Sequence, residues 1–190
     1  TLGYLSETRQ SQIIMGELAS YFRVQNASTK TKPTIAKLNV GGVEDCCTII
    51  GPQKNQGDFW KAQLNLVRNY ADLRADRIPE IFVQIDDIRS FFGALAPLNP
   101  WRRKHTSQLL ALTQSVAIQV EMQIKHYCLA ARPSEYTDKI QPLIQTPDHS
   151  AFPSGHATEA FALAAVLHRV LHNETAIEAV KREDMPQAFK

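Results

Sequence analysis

Lys125-His126-Tyr127-Cys128-Leu129-Ala130-Ala131-Arg132-Pro133 places two cations seven residues apart, and after a further nineteen residues Pro153-Ser154-Gly155-His156 opens an apolar run. Around the first stretch, Ile118, Met122, Lys125, Leu129 and Arg132 recur at steps of four, three, four and three. That rhythm predicts one shared helical face, with Lys125 and Arg132 interrupting an apolar stripe about two turns apart. A buried cation needs a partner, because an unpaired one loses its charge or costs several kcal/mol. Pro133 disfavours the α region for Arg132, so the helix is expected to end there and turn the guanidinium inward. Two readings follow. Either the cations hold an anion, or they snorkel to a nearby surface or pair with internal carboxylates.

The second stretch reads as a helix start. Ser154 is a natural N-cap, Glu159 suits the helix dipole near the N-terminus, and Gly155 lets a ligand approach backbone N–H groups. Unsatisfied donors and positive potential at such a start favour an oxyanion. His156 aligns with Ala160, Leu163 and Leu167 and is expected on the core side of the helix. Tyr136 to Ser150, with Pro142 and Pro147, reads as a linker between the two stretches.

Working outward, the long helix holding Lys125 should begin near Pro100, which is tolerated in a first turn, and run towards Ala131. Its wide apolar wrap, Leu109, Leu110, Leu112, Val116, Ala117, Val120 and Ile124, suits a helix enclosed on several sides. The Arg102-Arg103-Lys104-His105 cluster at its start reads as a solvated face. Upstream, Trp60, Leu64, Val67 and Ala71 predict a helix with Asp58 as N-cap and Pro79 as its break. Ile81, Ile85, Ile88, Phe92 and Leu95 predict a second helix, closed by Gly93, Pro97 and Pro100. Residues 1 to 57 are read as an N-terminal arm, in which Gly41-Gly42 joins Thr34 to Val40 and Val43 to Ile50 in a short hairpin. Asn173 to Lys190 reads as a last amphipathic helix with a loose end.

The 190 residues suit one domain, with 44% hydrophobic and 21% charged residues and a net charge of +2. Lys and Arg are dispersed, which argues against nucleic acid. No window approaches the roughly 18 apolar residues of a membrane span, so a soluble protein is expected, cytoplasmic or exported. Cys46, Cys47 and Cys128 offer no disulfide framework or paired metal motif.

The K-x6-R-P spacing of Lys125 to Pro133, followed by P-S-G-H at 153 to 156, resembles the PAP2 superfamily of type 2 phosphatidic-acid phosphatases, bacterial class A acid phosphatases and vanadium-dependent haloperoxidases. The stretch from about Arg77 to Leu167, notably Thr146-Pro147-Asp148-His149-Ser150-Ala151-Phe152, is similar to the soluble haloperoxidase branch. The resemblance implies an all-α helical bundle over residues 58 to 190, behind the irregular or hairpin-containing arm. It implies vanadate as cofactor, for which phosphate can substitute, held by Lys125, Arg132, Ser154 and Gly155, with His156 as general acid/base. His149 resembles the extra histidine of algal bromoperoxidases, and a surface-loop histidine is the competing reading.

The family's third motif, S-R-x5-H-x3-D, has no counterpart between residues 157 and 190. It carries the histidine that acts as nucleophile or binds vanadium, so no metal-ligating residue is expected within this chain. The domain should be truncated at its C-terminal end, the axial His lying beyond Lys190 or on a second chain. Three functions compete: peroxide-dependent halide oxidation, with bromide favoured; hydrolysis of a phosphomonoester through phosphohistidine; and non-catalytic anion binding. Hydrogen peroxide and halide, or a phosphomonoester, are the expected partners, and a homo-oligomer is compatible with the sequence.

Overall fold

A computed structural model of the chain describes residues 2–28, 35–52 and 57–172. Its elements in order are α1 (Glu7–Tyr21), β1 (Phe22–Asn26), β2 (Ile35–Val40), β3 (Val43–Ile50), α2 (Gly57–Tyr70), α3 (Arg74–Asp86), α4 (Lys104–Cys128), α5 (Pro133–Tyr136) and α6 (Gly155–His172). The chain is mostly helical with one small sheet, so it is not strictly all-α. The described residues divide into two compact units, 2–20, 87–119 and 155–172 in one, and 21–28, 35–52, 57–86 and 120–154 in the other. The final helix expected over 173 to 190 lies outside the described residues.

In the first unit, α6 supplies the core. Leu163 and Leu167 are fully buried and cluster with Ile88, Ala96 and Leu110, while Phe92, Leu98, Ala160 and Val166 pack around them. Glu159 falls in the second turn of α6, where its carboxylate accepts from Gln114 Nε2 of α4 at 2.7 Å. It therefore does not sit in the first turn as expected. The sequence reading missed α1, none of whose side chains is buried. This helix is fastened by its polar residues, with Glu7 paired to Lys104 at 2.6 Å and Ser11 Oγ accepting from Gln108 at 3.1 Å.

The expected second helix also breaks. Helix α3 stops at Asp86, and Asp87 leaves helical dihedrals, its carboxylate capping Arg89 N at 3.1 Å before a 3-10 turn over Ile88–Ala94. A short polar side chain that bonds the backbone competes with helix continuation, which is why the apolar rhythm spans two elements.

In the second unit, the Gly41-Gly42 hairpin is present. Both glycines have positive φ, 57° and 84°, as a two-residue loop between right-twisted strands requires. The third strand, β1, was not foreseen, although Phe22 and Val24 alternate with polar residues; it pairs antiparallel to β2 in the order β1-β2-β3. Val24 and Ala36 from the sheet form a core with Ile124 and Cys128 from the last turns of α4, with Leu38, Ile49, Val120, Tyr127 and Phe152 packed against it. Asp58 lies inside the first turn of α2, not at its cap, and Pro79 lies inside α3; the break falls earlier, at the 3-10 turn Ala71–Leu73.

Candidate functional site

The end of α4 decides the site. The helix stops at Cys128, short of the expected Ala131, and Leu129 takes a left-handed φ of 48° while its N–H donates to Lys125 O at 3.0 Å. A non-glycine residue in this region costs about 1–2 kcal/mol, and such strain persists where surrounding structure fixes it. Here Leu129 is 62% exposed, so its side chain gives up little packing to the turn. The expected five-residue stripe is accordingly corrected: Ile118, Met122 and Leu129 are exposed, and the buried row is Ala117, Glu121, Ile124, Lys125 and Cys128.

Beyond the turn the chain is extended. Arg132 has φ −75° and ψ 151°, as a residue before proline must, and it caps α5, with its N–H donating to Glu135 Oε1 at 2.7 Å. Pro133 occupies the first helical position, where its missing N–H is harmless. The segment is fastened to the linker by Ala130 N donating to Ser150 Oγ at 2.8 Å and Ala151 N donating to Ala130 O at 2.9 Å. The Ser150 hydroxyl also donates to Phe152 O at 3.1 Å and accepts from Phe152 N at 3.3 Å. Ser150 was not singled out from sequence; a serine beside His149 in a turn-rich stretch was the available signal.

Both cations reach this loop. Lys125, only 2% exposed, donates through Nζ to Pro153 O and to Ser150 O at 3.4 Å. Arg132 donates to the preceding carbonyl, His149 O, from Nε at 3.1 Å and Nη2 at 3.0 Å. Its Nη2 also lies 3.1 Å from His149 Nδ1. The same Nδ1 lies 3.2 Å from Ser150 O, so it accepts from the guanidinium in one tautomer and donates to the carbonyl in the other. Arg132 Nη1 has no hydrogen-bond partner among the described residues. Glu121, 4% exposed, lies one turn before Lys125, the favourable order for a carboxylate and an ammonium on a helix. Burial raises the Cys128 thiol above its ordinary value, and the positive charge of Lys125 works against that rise.

Ser154 is exposed and immediately precedes α6; Gly155 opens the helix and His156 follows it. His156 is exposed, contrary to its expected core-side position: it lies in the first turn, before the fully buried Leu163 and Leu167. Ser154 belongs to the same unit as Lys125, Arg132 and His149, whereas Gly155 and His156 belong to the other. Chemically, the loop unites two fixed cations with a histidine and a hydroxyl. Such a donor set suits a tetrahedral oxyanion. Among the described residues, no group of three His, Cys, Asp or Glu side chains could hold a metal ion.

No curated protein and no solved structure matches the chain. The stretch that carries Lys125, Arg132, His149 and Ser154 to His156 is similar to a known family: residues 105–179 match the family model of the PAP2 superfamily.

Proposed function

We propose that the chain binds a tetrahedral oxyanion, vanadate or phosphate, and belongs to a haloperoxidase-like enzyme that oxidises halide, bromide foremost, with hydrogen peroxide. The observation that carries the reading is the convergence of Lys125 and Arg132 on consecutive stretches of one loop, His149 to Pro153, which leads directly into Ser154-Gly155-His156. The residues fit the anion in kind. Arg132 offers Nη1, Lys125 a point charge and Ser154 a hydroxyl.

In this role Lys125 and Arg132 neutralise anion oxygens, and His156, exposed at the helix start, moves protons as general acid/base. His149 orients Arg132 through its carbonyl and ring. Vanadate, when bound, supplies Lewis acidity towards peroxide.

Phosphomonoester hydrolysis is the second reading. It is favoured by an apolar recess lined by Ala130, Ala131 and Pro133, which flank Arg132, and by Phe152; such a recess suits the organic half of an ester. There His156 would protonate the leaving alcohol.

The test is bromide oxidation with peroxide and vanadate beside p-nitrophenyl phosphate hydrolysis. Peroxide-dependent bromination that disappears in His156→Ala is expected. Hydrolysis without bromination at any pH would replace the first reading with the second, and an unaffected His156→Ala variant would remove His156 from the mechanism.

A further inference from the structure

The recess beside Arg132 has a volume of about 540 Å³, within the usual range of small-molecule sites. Its walls come from β3's end, from α2, and from the two segments that build the cation loop. Phe59, Trp60, Tyr136 and Phe152 make part of the lining aromatic. Trp60 and Tyr136 lie nearly parallel, with centroids 5.0 Å apart and planes at 23°. Phe59 meets Trp60 edge-on at 5.2 Å and 73°. Phe152 also lines it, and among the described residues of the lining Gln63 is the only side chain with an amide or charge.

Position matters as much as composition. Ala131 and Pro133 are the covalent neighbours of Arg132, and Ala151 follows the Ser150 whose carbonyl meets Lys125. An occupant of the recess therefore touches both covalent neighbours of Arg132. A sugar or nucleotide finds few polar side-chain partners among the described residues of this lining. A flat ring instead meets faces and edges in the arrangements that aromatic pairs prefer.

We infer that this recess holds the aromatic ring of the organic substrate. The inference rests on the oxyanion reading above for what is held next to the ring, and it names the ring's binding surface. The ring can arrive as the ester body of a bound phosphate or as a separate aromatic acceptor.

Calorimetric titration of the chain with inorganic phosphate, methylphosphonate, hexylphosphonate, phenylphosphonate and neutral 1-naphthol tests it. Phenylphosphonate should bind at least about tenfold tighter than methylphosphonate, from buried area and ring contacts. Trp60→Ala and, separately, Tyr136→Ala should remove that advantage while leaving phosphate affinity unchanged. Two folded variants on different elements guard against a loss caused by misfolding. Phenylphosphonate gaining more than naphthol assigns the ring to an ester; naphthol binding equally with and without vanadate assigns it to a separate acceptor. Equal affinity for methyl and phenyl, an advantage that survives both substitutions, or an equal gain from hexyl would overturn the aromatic assignment. Naphthol bound through Trp60, with no phosphate or vanadate bound at all, would sink the oxyanion reading and leave the recess standing.

Discussion

Cys128 is where the chemistry around Lys125 can be read from a neighbour. The thiol packs with Val24, Ala36 and Ile124, and burial raises it above its ordinary value of 9.0. The Lys125 ammonium opposes that rise without reversing it. A raised thiol favours the neutral form in the fold. Its contribution to stability is full below the unfolded value and is lost as pH climbs through the folded one, above 9.0. The thiolate is the nucleophile, so at pH 8 iodoacetamide should alkylate exposed Cys46 and Cys47 at least about tenfold faster than Cys128. Peptide mass spectrometry over time reads this directly. Equal rates at the three thiols would contradict the burial of the α4 end and its cation. Ser150 and Glu121 are the other residues that the fold raises to importance. The first satisfies three backbone groups of the cation loop, and the second brings a buried carboxylate within one helical turn of a buried ammonium.

Among the elements, the β2–β3 hairpin depends on two left-handed residues. A Cβ at Gly42 would meet no atom within 4 Å, so the cost of Gly42→Ala is backbone strain alone. That substitution should destabilise the chain by about 1 kcal/mol, measured by urea denaturation. No change would mean that the loop does not need positive φ there. This hairpin was legible because its signal is local, two glycines between apolar strands. Helix α4 was legible for the same reason through most of its 25 residues. Its end was not: Pro133 marks the last position where a helix could stop, but the loop contacts at Ala130 pull the chain out of helix sooner. With that, Arg132 leaves the helical line through Lys125, and the two cations meet through the loop instead of along a stripe. Helix α1 stayed hidden because polar bonds fasten it where burial would have written an apolar period. The Asp86-Asp87 break was hidden because a 3-10 turn carries the apolar rhythm past it.

Over the whole molecule, a charge of only +2 leaves little long-range attraction for polyanions, so any anion affinity has to come from placed donors. Among the described residues, no helix is long and apolar enough to cross a membrane. The candidate residues lie within the 105–179 stretch that matches the PAP2 superfamily, and the motif spacing there was readable before any coordinates. The recess of Trp60 and Tyr136 was not, because it joins residues 76 positions apart in sequence. The central claim is that Lys125 and Arg132 form an oxyanion site. Titration of orthovanadate into the protein, followed by vanadium NMR, tests this most directly. Saturable binding at one site is expected, weakened roughly tenfold or more in Arg132→Ala with the fold intact by circular dichroism. Absence of binding, or binding that Arg132→Ala leaves unchanged, would contradict it.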